Sequence, residues 1–108
     1  QDRGSQLAER LSELFEGYDP APSLLHGDLW AGNWGVAGGE PVIFDPAVYY
    51  GDRETDIAMT RLFGGFGEAF YRAYFGAWPP APGSEERLEL YKVIFDLALT
   101  ILRRLTRT

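Results

Sequence analysis

The chain has 108 residues, 45% apolar and 15% aromatic, with 10 basic against 16 acidic side chains and a net charge of −6. That length allows one domain, and the acidic balance argues against a nucleic-acid partner, which a basic patch would recruit. There is no cysteine, which excludes disulfides and thiolate chemistry together; no apolar run is long enough to span a bilayer, so a cytoplasmic protein without membrane association is expected.

Gln1-Asp2-Arg3-Gly4 lacks apolar periodicity and opens without methionine, which suggests a piece of a longer protein. From Ser5, a candidate N-cap, the spacing of Leu7, Leu11, Leu14 and Phe15 predicts a helix over 5–16 that Gly17 to Pro22 stops. Ser23-Leu24-Leu25 is short and extended, and feeds His26-Gly27-Asp28-Leu29-Trp30-Ala31-Gly32-Asn33. Residues 33–37 and 41–45 then read as two strands joined by Gly38-Gly39-Glu40, a hairpin signal. Val42, Ile43 and Phe44 are apolar in succession, which predicts a second strand buried on both faces with Asp45 emerging from the interior. Pro46 ends the ladder.

Asp52 can cap a helix over 53–63 with an apolar stripe of Met59, Leu62, Phe63 and Phe66, which Gly64-Gly65 breaks. A further helix over 67–76 carries Phe70, Tyr71, Tyr74 and Phe75. With Phe63 and Phe66 these aromatics read as core, part of which could form an acceptor pocket. Trp78 to Gly83 is a rigid turn. Ser84 caps the last helix, 84–106, with Glu85 and Glu86 against its positive end. Its apolar residues form two adjacent stripes, Leu90, Ile94, Leu97, Ala98, Ile101 and Leu105, then Leu88, Tyr91, Phe95, Leu99 and Leu102, which predicts neighbours on several sides. Arg103, Arg104 and Arg107 suit the negative end of that helix and are given no other role.

The loop 26–33 carries the chemistry. Phosphoryl transfer requires a positioned hydroxyl and neutralisation of phosphate charge. Asp28 can orient or accept the proton of a hydroxyl nucleophile. Asn33 follows five residues later, the separation of Asp and Asn in the kinase catalytic loop, and its amide oxygen suits magnesium. Asp45, in the segment 43–47, supplies an anionic ligand after one hairpin. Each could instead be a turn former, but three independent turn residues need not reproduce this spacing. His26 is the only histidine; the kinase parallel places it behind the loop as a structural residue rather than a general base. Trp30 is positioned either to stack on a sugar or to serve as a core aromatic.

His26-Gly27-Asp28-Leu29-Trp30-x-Gly32-Asn33, Ile43-Phe44-Asp45-Pro46-Ala47, Tyr50-Gly51-Asp52-Arg53-Glu54 and Leu62-Phe63-Gly64-Gly65-Phe66 together resemble the fructosamine (ketosamine) kinase family, within the aminoglycoside-phosphotransferase branch of the protein-kinase-like fold. The resemblance implies an α+β fold, the mostly helical C-terminal lobe of a kinase, with 1–108 a partial lobe. It implies Asp28 as catalytic base, Asn33 and Asp45 as Mg2+ ligands, and Asp56 as structural support accepting backbone N–H groups of the loop. The implied reaction is ATP-dependent phosphorylation of a sugar hydroxyl on a small-molecule or protein-linked ketosamine, a deglycation step. The family's N-terminal lobe, with its glycine-containing phosphate loop and Lys–Glu pair, is absent from these residues, and 99–108 depart from the usual tail. A related aminoglycoside or choline kinase, or a non-catalytic fragment that needs the missing lobe to bind ATP, are the alternatives.

Overall fold

The computed structural model describes residues 3–106. Of the positions read above, Gln1, Asp2, Arg107 and Thr108, and the side chains of Arg3 and Leu7, lie outside the described residues. In chain order the elements are α1 (Arg3–Leu14), β1 (Ser23–Leu25), a 3-10 turn (Ala31–Asn33), β2 (Trp34–Ala37), β3 (Glu40–Ile43), β4 (Tyr49–Gly51), α2 (Arg53–Leu62), α3 (Glu68–Ala77) and α4 (Ser84–Thr106). No helix among the described residues is long and apolar enough to cross a membrane.

Two antiparallel ribbons flank the loop. β2 pairs with β3 with Ala37 opposite Glu40, closed by Gly38 and Gly39, both at positive φ as a two-residue hairpin turn requires. β1 pairs with β4, Leu25 opposite Tyr49, so the chain returns beside its entry into the loop. The expectation that the second hairpin strand is buried on both faces is corrected. All four residues of β3 are exposed, and so are Phe44 and Asp45. β3 is hydrogen-bonded only to β2, and a two-stranded ribbon cannot cover its own faces.

Two predicted caps are also corrected. Ser5 lies inside α1, which begins at Arg3. α1 ends two residues early because its last turn tightens, with Phe15 N–H donating to Ser12 O and Glu16 N–H to Glu13 O before Gly17 turns the chain. Ser84 is the first residue of α4 rather than its cap; Arg87 N–H donates to the carbonyl of Gly83, which holds the cap position. Asp52 does cap α2, accepting from Glu54 N–H at 3.0 Å.

The centre of the molecule is the contact of α2 with α4. Ile57, Ala58 and Leu88 are buried there, with Tyr71, Tyr74, Phe75, Tyr91 and Phe95 packed around them. Of the two apolar stripes on α4, the one through Leu88, Tyr91 and Phe95 faces this core. The other is largely exposed, with Ile94, Leu97 and Leu105 at 49%, 59% and 71%. The expectation of neighbours on several sides is therefore met on one side among the described residues.

An ion pair lies inside the contact. Arg87 Nε and Nη2 donate to the two carboxylate oxygens of Glu54 at 2.7 and 3.0 Å, with the side chains 2% and 5% exposed. Arg87 Nη1 donates to the carbonyls of Leu14 and Pro82, and its guanidinium lies 3.6 Å from the centre of the Tyr18 ring. Four of its five N–H groups thus find acceptors, and hydrogen bonding to Glu54 raises its affinity for the proton further. Arg61 and Glu85 pair at 3.0 Å between the same helices, but Glu85 is 68% exposed and the contact contributes little.

Asp52 gathers a second polar group, accepting from Tyr18 Oη at 2.7 Å and Tyr91 Oη at 2.8 Å. Burial first, then donation to Asp52 and the charges of Asp52 and Glu54, hold both phenols well above their ordinary 10.0, against an opposing pull from Arg87.

Arg87→Met should cost about 3–5 kcal/mol in urea unfolding, because Glu54 is left buried and unpaired, whereas Glu54→Leu together with Arg87→Met should recover most of that loss. The fold should also weaken in alkali. Above the ordinary value of 10.0 the unfolded chain ionises Tyr18 and Tyr91 while the folded chain keeps them neutral, so stability falls as pH rises through that range. Thermal midpoints measured from pH 8 upwards should decline less steeply in a Tyr18→Phe, Tyr91→Phe double variant.

Candidate active site

The loop 26–33 is held from both sides. From α2, the Asp56 carboxylate accepts from His26 N–H at 2.8 Å and Gly27 N–H at 3.0 Å. From the hairpin, Phe44 N–H donates to Asn33 O at 3.0 Å, and Ala47 N–H donates to His26 O at 2.7 Å. Gly27 has φ of 86°, and a Cβ there would stand 2.0 Å from the Ala47 carbonyl oxygen, so only glycine permits this crossing.

The hydrogen bonds of His26 fix its tautomer. Asp28 N–H donates to His26 Nδ1 at 3.2 Å, so Nδ1 is an acceptor and the proton lies on Nε2, which donates to Phe44 O at 2.7 Å. Both nitrogens are used in joining the loop 26–33 to the segment that carries Asp45. The ring is occupied as a brace between the two segments.

Asp28 and Asn33 are brought together. Asn33, 7% exposed, donates from Nδ2 to Asp28 O at 2.9 Å and to Asp28 Oδ2 at 3.1 Å. Two acceptors at that end require the amide nitrogen to point there, which leaves Asn33 Oδ1 as the free oxygen. Asp45 lies one residue beyond Phe44, which bonds Asn33 across the ribbon. Its φ of 51° makes it the one non-glycine residue with positive φ among the described residues. Asp tolerates that conformation better than most side chains, at a cost of about 1 kcal/mol or more, and such strain concentrates where a side chain must be aimed. Among the described residues no group of three or more His, Cys, Asp or Glu is arranged to hold a metal. The oxygens offered by Asn33 and Asp45 are nonetheless hard donors of the kind magnesium takes alongside phosphate and water.

Trp30 stands over Gly32, where a Cβ would come within 2.3 Å of the indole ring, and meets Phe63 edge-on at 5.8 Å. With Asp28, Phe95, Leu99, Leu102 and Arg103, these two aromatics line a cavity of about 560 Å³. The aromatic set is thereby sorted. Tyr71, Tyr74 and Phe75 pack on the core, Phe63 faces the cavity, and the Phe66 and Phe70 rings meet tilted at 4.9 Å, with Phe66 against Trp34 of the hairpin.

A family model described as fructosamine kinase matches residues 1–102. The chain belongs to the fructosamine kinase family. It is 56% identical over 94 residues to the "probable ketoamine kinase" of Lactiplantibacillus plantarum, covering 86% of this chain and 34% of that protein. It is 45% identical over 93 residues to the ketosamine-3-kinase of Mus musculus, covering 86% and 30%. A Haemophilus somnus 129PT crystal structure, assigned provisionally as a fructosamine-3-kinase, superposes with a TM-score of 0.80 at 30% identity, covering 94% of this chain and 35% of that one. The α+β architecture is therefore that of the kinase-like fructosamine kinases, and the chain spans about a third of the length of the curated relatives it matches.

Sequence reasoning passed over Arg87 and gave Arg103 only the helix end. Both lie at four-residue steps from Tyr91, Phe95 and Leu99, Arg87 at the buried end of that stripe and Arg103 at its exposed end. A cation on an apolar stripe was the available signal, and it marks one end buried in an ion pair and the other at the cavity.

Asp56→Ala should leave two loop amides without their carboxylate, each a charge-assisted bond worth about 1.5–3 kcal/mol. Hydrogen exchange at the amides of His26 and Gly27 should then quicken by at least about tenfold while α4 is unaffected. Unchanged exchange at those two amides would remove Asp56 from any bracing role.

Proposed function

We propose that these residues form the C-terminal-lobe part of an ATP-dependent ketosamine kinase, with Asp28 as the base and Asn33 and Asp45 as the ligands of Mg2+. The observation that carries the reading is the clamp of Asn33 on Asp28. One amide fixes the aspartate through Nδ2 and turns its own oxygen outward, so that base and ligand are set by a single side chain. Asp28 keeps Oδ1 for a hydroxyl.

In the proposed reaction the sugar hydroxyl of a ketosamine, such as a fructosamine or ribulosamine, lies against Asp28. Its proton passes to the carboxylate as the oxygen attacks the γ-phosphorus of ATP, the bond to the β-phosphate oxygen breaks, and ADP leaves. Magnesium, when bound, neutralises phosphate charge. What this chain contributes is position: Asp56 and His26 hold the loop, Asn33 orients the base, and Trp30 with Phe63 keeps water from the acceptor. The remaining grip on the nucleotide comes from parts of the enzyme outside these residues. The names of the relatives support a ketosamine acceptor over an aminoglycoside or choline, because those relatives are called ketoamine or ketosamine kinases.

In the complete enzyme, Asp28→Asn should lower kcat by about 10²- to 10⁴-fold on a fructosamine, with an unchanged circular-dichroism melting point, since the amide can still accept from Asn33. Near-normal turnover would sink the assignment. Equal turnover of an amino alcohol and a fructosamine by the unmodified enzyme would sink the choice of acceptor.

A further inference from the structure

Gly32 sits in the middle of the 3-10 turn Ala31–Asn33, and unlike Gly27 and Gly65 it does not have positive φ. An alanine could adopt its backbone conformation. What excludes a side chain there is the ring of Trp30. A Cβ on residue 32 would stand 2.3, 2.5 and 2.7 Å from Cη2, Cζ2 and Cζ3, the outermost carbons of the indole, and these are the three nearest atoms it would meet.

The ring meets a second neighbour, Phe63, edge-on at 5.8 Å, and both aromatics line the cavity that Asp28 also lines. The turn itself is tied without help from the indole. Trp30 N–H donates to Asp28 O at 3.1 Å, Asn33 N–H donates to Trp30 O at 2.9 Å, and the Asn33 amide holds the Asp28 carboxylate. Ala31 is backed by Gly65, where a Cβ would come within 2.4 Å of the Ala31 Cβ. The main chain is therefore fixed, while the indole, 37% exposed, has rotamers to choose among. Close packing on a residue with no side chain selects the rotamer observed.

We propose, resting on the ketosamine kinase reading above, that Gly32 is a positioning residue that acts through Trp30. By lacking a side chain it seats the indole in the wall of the acceptor cavity, where the apolar face of a sugar can pack while its hydroxyl lies against Asp28. A side chain at 32 displaces the far end of a rotatable ring and leaves the bonds of Asp28 and Asn33 intact. Its effect therefore falls on the hold on the acceptor, and the base and the nucleotide are spared.

The test uses the complete enzyme with N-fructosyl-glycine and ATP. Gly32→Ala should melt within a few degrees of the unmodified protein. Its KM for N-fructosyl-glycine should rise by about tenfold, the upper end of what one aromatic contact contributes, while KM for ATP is unchanged and kcat moves by less than about threefold. A phenyl ring at position 30 stops short of the carbons that crowd residue 32. Adding Gly32→Ala to Trp30→Phe should therefore raise the acceptor KM by less than about twofold over Trp30→Phe alone. An equal KM penalty with either ring at position 30, or a loss confined to kcat, overturns the proposal. If Gly32→Ala fails to fold, the double variant should fold, and failure of both overturns it as well. If the unmodified enzyme does not phosphorylate N-fructosyl-glycine, the kinase reading fails and near-UV circular dichroism judges the seat separately. A spectral change caused by Gly32→Ala that disappears in the Trp30→Phe background supports the seat, and a change that persists there refutes it.

Discussion

The buried pair of Arg87 and Glu54 is the contact on which the arrangement depends. Five hydrogen-bonding and stacking directions meet at one guanidinium: two carboxylate oxygens of α2, the carbonyl that ends α1, the carbonyl of Pro82 before α4, and the face of Tyr18. Few buried apolar side chains surround it, so burial alone would not fix how α1, α2 and α4 meet. An apolar replacement of both partners could be as stable, because desolvating two ions offsets most of their attraction. What the charged pair adds is direction. A bidentate fork accepts one register of α4 on α2, whereas leucines would accept several.

That register reaches the loop 26–33 through one helix. Glu54 and Asp56 are two residues apart, roughly 200° around α2, and so face opposite ways. Glu54 is fastened to α4, and Asp56 turns to the amides of His26 and Gly27. The helix is also fastened at its start, where Asp52 caps it and Arg53 donates to Tyr74 Oη and to the carbonyls of Trp78 and Pro79. Polar side chains at Asp52, Arg53, Glu54 and Asp56, with the Thr55 hydroxyl between them donating to Asp52 O, thus set the height and rotation of α2. The loop inherits a placement decided by packing on the other side of the helix.

The parts legible in the sequence were those with local causes. The hairpin followed from Gly38-Gly39, the end of α1 from Gly17, the break after α2 from Gly64-Gly65, and the loop from the five-residue step between Asp28 and Asn33. What stayed hidden depended on partners distant along the chain. Leu24 and Tyr50 of the β1–β4 ribbon are exposed and carry no alternating pattern that would pair them. The apolar run Val42-Ile43-Phe44 reports that a strand favours burial, but not whether these residues supply the covering layer. Arg87 was passed over, and Arg103 given only the helix end, for a simpler reason. Charged residues on a helix were assumed to face water, although both fall on the stripe of Tyr91, Phe95 and Leu99.

Around the loop 26–33 the groups are locked: His26 is committed at both nitrogens, Asn33 is committed at Nδ2, and Asp45 is held in a backbone conformation with positive φ. Rigid placement there lowers the reorganisation needed as charge develops. On α4, by contrast, Leu99 is half-buried and Leu102 and Arg103 are exposed, and among the described residues no side-chain hydrogen bond or ion pair holds them.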